Sequence, residues 1–333
     1  MTFATRTVVV IGGGVLGSAA ASHINACGHA VTLITDEPRG TTRVSTASLA
    51  WVNANSSSPD AYTSLRSDAR TVHARAGVDA GWFRPTGSTT DGVDAPGDGY
   101  VDTERFIAVH RSTLLSAGGT VRAGMRVRSL RRHGQRVVVV CDGAASPAEA
   151  RAEQIVADAV VIAAGTGTAQ LASSIGADTR RLGTATGPRG FLARVRLDHG
   201  ITQVRSANGL QLRPDSAGVL AAQSLTIERQ LLKRGDDATV ATVWPALRAE
   251  LASVLGRDVP EDALIRLDEA SRPMSADGLP VVGWVADGVY ALLSHSGVTL
   301  APLLAELVAR DLSGDADPRL DPYRPNCRIG STP

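Results

Sequence analysis

Apolar and polar positions change period several times along the chain, and each change marks an element. Val8-Val9-Val10-Ile11 is a continuous apolar run of strand length, closed by three glycines. Small residues suited to a tightly packed helix follow to Ala21, and Ala30–Thr35 is apolar enough for a second strand. The turn between them reads Gly12-Gly13-Gly14-Val15-Leu16-Gly17, and the acids Asp36 and Glu37 come about 20 residues on. This is GxGxxG after a strand, opening a helix, inside one βαβ unit. Gly12 permits the tight turn, Gly14 lets backbone approach a pyrophosphate, and Gly17 lets helix and strand pack closely. The N–H groups and partial positive charge of the helix N-terminus receive phosphates. Asp36 would accept the ribose hydroxyls. The expected site is a dinucleotide cradle of Gly12, Gly14, Val15, Leu16, Gly17 and Asp36. NAD, NADP and FAD share it, and an acid at the strand end argues against the 2′-phosphate of NADP.

Beyond Asp36 the segment 40–59 is rich in Thr, Ser and Asn, yet Leu49-Ala50-Trp51-Val52 is apolar and should return into the structure. Residues 60–76 read as a helix, and Trp82 to Gly87 as a short strand and turn. Asp102 is an expected N-cap for a helix through Phe106, Val109, Leu114 and Leu115, stopped by Gly118-Gly119. Runs from Val121 to Leu130 and from Arg136 to Cys141, separated at His133-Gly134, predict a small antiparallel excursion. Residues 157–165 form a buried-strand run that ends in Ala164-Gly165, where a glycine favours close backbone approach to a neighbour or ligand. Residues 186–230 alternate and carry turn residues, predicting antiparallel sheet. A helix is expected from Thr239 to Leu255, ended by Gly256, and a last one from about Gly297 to Arg310. The fold class is therefore α/β: a Rossmann-like nucleotide domain interrupted by an α+β insertion with an antiparallel sheet.

The net charge of +1 gives no reason to expect nucleic acid or an anionic membrane as partner. No segment approaches the length of a membrane span, and the early apolar run is broken by glycines that a signal peptide does not use. Cys27, Cys141 and Cys327 are far apart and form no CxxC. That suits a reducing, cytoplasmic setting without structural disulfide or zinc.

Taken together, IGGGVLGSAAA, STASLAWVNAN, VVIAAG and the pair SRPMSADGLPVVGW with SHSGVTLAPLLA give the chain a resemblance to D-amino-acid-oxidase-like flavoproteins, which include glycine and sarcosine oxidases. The resemblance implies FAD, in a glutathione-reductase-type domain formed by residues 1–80, 99–178 and 273–333. A substrate domain would comprise 81–98 and 179–272. It places Ser45, Thr46, Ala47 and Ser48 at the pyrophosphate and isoalloxazine, Val127 at the adenine, and Ala164 and Gly165 beside the cofactor. His295, Gly297, Val298 and Thr299 would bring a helix N-terminus to the flavin pyrimidine, where its dipole stabilises charge that develops on reduction. For His295 a direct contact with flavin or substrate and a role shaping the turn are both open. Arg272 matches the family arginine that clamps a substrate carboxylate, a task suited to a guanidinium fork; the alternative is an ion pair with Asp277 or Glu269. The implied reaction passes a hydride from an amine or amino acid to the flavin, giving an imine that hydrolyses, with O2 or another acceptor re-oxidising the cofactor. An NAD-dependent dehydrogenase and a flavin-bound protein without turnover are the alternatives.

Several departures accompany the resemblance. Thr35 stands where the family usually has Glu, so Asp36 substitutes. The stretch between Gly87 and Gly99 is short. No arginine follows His295, where Ser296 stands. No cysteine lies near Arg272, so the FAD should be noncovalent. Lys233, the only lysine, falls in the charged run ERQLLKRGDD, read as a solvated face rather than the oxygen-activating lysine of some relatives.

Overall fold

The computed structural model describes residues 5–38, 43–54, 59–142, 152–183, 188–235 and 237–326. β1 (Thr7–Ile11) passes through the glycine turn into α1 (Val15–Ala26), and β2 (Ala30–Thr35) returns beside it. α2 (Arg43–Thr46) and β3 (Trp51–Val52) precede α3 (Asp60–Val72), which runs on into a π-helical turn at His73–Gly77. Four short strands follow: β4 (Phe83–Arg84), β5 (Ser88–Thr90), β6 (Val93–Ala95) and β7 (Gly99–Val101). Next come α4 (Thr103–Ser116), β8 (Thr120–Ala123), β9 (Val127–His133), β10 (Arg136–Cys141), β11 (Glu153–Ala157), β12 (Ala159–Ile162) and α5 (Thr168–Ser173). The later part contains β13 (Arg189–Arg196), β14 (Val204–Ala207), β15 (Leu210–Ser216), β16 (Val219–Ser224), α6 (Leu225–Arg234) and α7 (Val240–Leu255). It closes with β17 (Leu264–Ser271), β18 (Val281–Ala286), β19 (Val289–Leu293) and α8 (Gly297–Leu312).

The central sheet has the order β18-β19-β12-β1-β2-β8. All neighbours are parallel except β18, which runs antiparallel to β19. The chain leaves β1 towards β2 and β8, then crosses to β12 on its other side. Strand order therefore reverses at β1, the place where open α/β sheets bind ligands beyond their carboxyl ends. Both faces of the sheet are covered, so its strands are apolar throughout rather than alternating. Val10, Leu33 and Val161 pack with Ile24 of α1 and Leu300 and Leu304 of α8. Val160 and Ile162 pack on the opposite face with Leu130 and Val139.

A seven-stranded sheet, β17-β13-β16-β15-β14-β5-β6, stands apart from it. Phe191, Leu220 and Leu212 of this sheet pack with Val243 and Leu247 of α7. α7 starts at the capping box of Thr239 and Thr242 and stops at Gly256, left-handed at φ 65°. The expected α/β fold with an antiparallel insertion is thus present. Asp102 caps α4 as expected, accepting from the Arg105 N–H at 2.9 Å. Two expectations need correction. The run from Val121 is divided, because Gly124 (φ 71°) turns the chain after Ala123. β8 therefore completes the parallel sheet, and only β9, β10 and β11 form the antiparallel excursion. The antiparallel region likewise ends at Ser224, whose hydroxyl accepts from the Ile227 N–H at 3.2 Å and starts α6.

The short Gly- and Asp-rich stretch forms an edge hairpin, β5–β6, around Asp91 and Gly92 at φ 46° and 85°. Positive φ at both loop positions matches the right-handed twist of the strands. Asp98, buried behind this hairpin, accepts from Arg70 Nη1 (3.0 Å), Trp51 Nε1 (3.2 Å) and Ser88 Oγ (2.6 Å). It joins α3, β3 and β5 in one place. Asp98→Ala should lower unfolding free energy by roughly 2 kcal/mol, read from the urea midpoint; an unchanged midpoint would remove Asp98 as a joint.

Candidate functional site

One cavity of about 910 Å³ runs from the end of β2, past the glycine turn, to the start of α8. At one end Asp36, Glu37, Met125 and Val127 form its wall; Gly12 to Leu16, with Ala163 to Gly165, line its middle. At the other end stand Trp51, Asn53, Arg66, Arg272, His295 and the first residues of α8.

The middle is built for close backbone approach. Gly12 has φ 108°, and a Cβ there would strike the carbonyl of Ala163 at the end of β12. Arg111 fixes the turn from outside, donating from Nη2 to the Gly13 carbonyl at 2.7 Å and from Nε to Ser18 Oγ at 3.3 Å. Gly14 is the N-cap of α1 and gives it no side-chain cap, with no acid in the first turn. The N-cap of α8, Ser296, likewise makes no side-chain cap, and no acid lies in that first turn. Two helix N-termini thus open on one cavity with their donors unanswered by side chains, an arrangement suited to anionic or electron-rich groups. Gly165 has φ 57° and open space where a Cβ would stand, so nothing from the chain fills the wall there. These features fit FAD: phosphates at α1, adenosine towards Val127, and the ring system towards α8.

Of the residues expected from sequence, all but Gly17 and Thr46 border this cavity. Gly17 acts from behind, pressed against the Gly12 carbonyl so closely that a side chain would not fit. Thr46 ends α2 outside the cavity lining, while the carbonyl of its neighbour Ser45 accepts from Thr103 Oγ1 at 3.0 Å. Asp36 is exposed at the rim and Glu37 half-buried beside it. Ala50, buried in the wall, is held left-handed at φ 58° with its N–H on Ser48 Oγ at 3.0 Å. A non-glycine residue in that region stores strain, which structures concentrate at functional sites.

Arg272 reaches the cavity, but its ion-pair partner is neither Asp277 nor Glu269. Asp277 is taken by Arg181 at 2.9 Å, and Glu269 lies by Arg189 at 3.5 Å. The fork of Arg272 closes instead on Glu228 of α6, Nη1 to Oε2 at 2.7 Å and Nη2 to Oε1 at 2.5 Å. ERQLLKRGDD is accordingly not a solvated face throughout: Glu228 is buried and Lys233 exposed, away from the cavity lining. His295 opens onto the cavity among surrounding protein. Desolvation, then the charges of Arg272 and Arg66, push its pKa below the ordinary histidine value, favouring the neutral ring.

Sequence reading passed over Arg66, Asn53, Gln211 and Gln223. The two glutamines lie opposite each other on β15 and β16, with Gln223 Nε2 donating to Gln211 Oε1 at 2.6 Å. Arg66 had one faint signal: it follows Tyr62 by one helical turn on the apolar flank of α3. Among the described residues no cluster suits a metal ion, and no helix is long and apolar enough to cross a membrane.

A family model described as FAD dependent oxidoreductase matches residues 73–310, more than two thirds of the chain. One described as FAD binding domain matches residues 7–84. No curated protein matches the sequence. Among solved structures, glycine oxidase from Geobacillus kaustophilus is similar at 20% identity, covering 99% of this chain and 100% of its own, with a TM-score of 0.76. Iminodiacetate oxidase from Chelativorans sp. shares 18% identity, with 96% and 98% covered and a TM-score of 0.75. L-Proline dehydrogenase from P. horikoshii shares 14%, with 97% and 98% covered and a TM-score of 0.75.

Proposed function

The chain belongs to the FAD dependent oxidoreductase family, and from that premise we propose that it oxidises the C–N bond of a small amine or amino acid with noncovalent FAD. The observation that carries the reading is the cavity itself, with one uncapped helix N-terminus at the glycine turn and another beside His295. Oxidase and dehydrogenase neighbours of nearly the same length support it. Gly12, Gly14, Val15 and Leu16 hold the phosphates, with Gly17 packed behind the turn and Asp36 and Val127 towards the adenosine. Ser45, Thr46 and Ala47 brace the near wall, and Ala164 and Gly165 leave room for the cofactor. Gly297, Val298 and Thr299 present the α8 dipole to its redox end. The six-stranded and seven-stranded sheets support the division into an FAD-binding part (1–80, 99–178 and 273–333) and a substrate part (81–98 and 179–272).

Bound there, FAD would accept a hydride from the substrate carbon, leaving an imine that water hydrolyses to a carbonyl compound and ammonia or an amine. The protein's share is position and field. Among the described residues no carboxylate lines the α8 end of the cavity. The reacting form is the neutral amine, from which a hydride can leave. His295, neutral for the reasons given, offers a ring nitrogen to that amine.

The purified protein should show an oxidised-flavin spectrum. Anaerobic titration with amino acids and secondary amines should bleach it with one class of them, and admitting air then separates an oxidase from a dehydrogenase using another acceptor. A colourless protein that takes up no added FAD would refute the cofactor; a flavin that no amine reduces would refute the reaction.

A further inference from the structure

The α8 end of the cavity carries two guanidinium groups, and among the described residues only Arg272 is paired with a carboxylate. Both ends of the Arg272 fork are taken by the buried Glu228, which also accepts the Phe191 N–H at 3.3 Å. Gly190 lies so close to this guanidinium that a Cβ there would strike it, so the group has little room to turn away. A substrate carboxylate arriving at Arg272 would meet a second carboxylate or have to break the pair.

Arg66 is placed differently. α3 sets it one turn beyond Tyr62, its guanidinium 5.7 Å from that ring's centroid. Nε donates to the Asn53 carbonyl at 3.1 Å, and Nη2 donates to Asn53 Oδ1. Asn53 follows β3, whose Trp51 carbonyl accepts from Thr299 Oγ1 of α8 at 3.2 Å. The same strand end therefore orients Arg66 and anchors the start of α8. Among the described residues no carboxylate forms an ion pair with Arg66, and its Nη1 has no protein acceptor. Burial lowers its pKa, yet a guanidinium stays protonated in proteins. Asp36 and Glu37, the acids of the lining among the described residues, lie at the opposite end. What remains is a fixed cation on the wall of the cavity, whose lining also carries the neutral amides of Gln211 and Gln223.

We infer that Arg66, not Arg272, receives the carboxylate of the substrate, with Asn53 holding the fork and the Arg272–Glu228 pair serving as a neutral wall. This rests on the amine-oxidation reading and assigns the specificity of that site. Arg66 touches the substrate in this scheme; Asn53 is a positioning residue.

The experiment compares FAD-loaded wild type, Arg66→Gln, Arg66→Lys and Arg272→Gln. Each is reduced anaerobically with the common amino acids of both hands and their N-methyl forms, and with the decarboxylated counterparts. Acetate binding by calorimetry and FAD affinity by fluorescence are measured alongside. Arg66→Gln should weaken the apparent affinity for carboxylate substrates and acetate on the order of 100-fold, and affect decarboxylated amines and FAD affinity far less. Arg66→Lys should recover part of that loss, retaining the charge without the fork. Retained carboxylate preference in Arg66→Gln, with loss in Arg272→Gln, overturns the inference. So does an Arg66→Gln variant that binds FAD more weakly and loses both substrate series alike. If neither series reduces wild-type flavin, the amine-oxidation reading itself falls, and acetate binding alone then decides whether Arg66 is an anion site.

Discussion

Gly12→Val should purify without flavin, or with FAD bound at least about 100-fold more weakly than wild type. Gly12 sits at φ 108°, a conformation β-branched residues essentially never adopt, and its N–H bonds the Ile34 carbonyl at 2.8 Å. A side chain there meets the Ala163 carbonyl group, with its carbon at 2.7 Å. These are backbone atoms at the end of a central strand and cannot swing aside. Relief requires moving the glycine turn away from β12, and both form the middle wall of the cavity. Strain and clash together cost on the order of 3 kcal/mol, which equals that fold-change. Gly134→Ala is the control. Gly134 is also left-handed, at φ 59°, but occupies a hairpin tip with nothing near its Cβ position. That variant should lose roughly 1 kcal/mol of stability and keep its flavin. The ratio of visible flavin absorbance to protein absorbance decides it; a yellow Gly12→Val protein with full FAD content would remove the glycine turn from the cofactor site.

The elements read correctly from sequence are those whose signals are local. The glycine turn, the Asp102 cap and the Thr239-to-Gly256 helix each state their own start, stop or bend within a few residues. Failures came where a choice depends on a distant neighbour. Nothing near Val121 says that β2 awaits it as a parallel partner, while Gly124 sends the next residues elsewhere. The site divides in the same way. The part of the cavity at the glycine turn is made of consecutive residues that sequence singles out. The α8 end is assembled across the chain: Arg272 meets Glu228, 44 positions earlier, and Asp277 is taken by Arg181, 96 positions away. Arg66 was invisible because a basic residue on a helix is ordinary; only the structure shows that no carboxylate among the described residues pairs with it.

Acidification should destabilise the protein well before its carboxylates titrate, because two buried histidines are held neutral. α8 contains Pro302, which has no N–H to give the Val298 carbonyl one turn before it. His73, fully buried on the π-helical turn, supplies the missing donor: Nε2 lies 3.1 Å from the Val298 and Thr299 carbonyls. That fixes the tautomer, leaves Nδ1 without a partner, and burial holds the pKa down to about 4. His110, packed among Trp82, Phe106 and His23 with Nδ1 on Ser22 Oγ at 2.8 Å, is lowered to about 3 by burial and then by His23 and His73. Both folded pKa values lie below the ordinary 6.5, so the unfolded chain binds protons that the native state refuses. Stability is complete above 6.5 and falls as the pH drops towards 4 for His73 and 3 for His110. By pH ~5 each should have removed about 2 kcal/mol. Urea unfolding of the FAD-free protein at neutral pH and at pH ~5 would measure the loss, and His110→Phe with Ser22→Ala should roughly halve the pH slope. Equal stability at the two pH values would mean that these histidines take up protons as readily in the fold as in the unfolded chain. Because His73 bonds the first turn of α8, the same acidification should loosen the helix start beside His295, and FAD should be released over the same pH range.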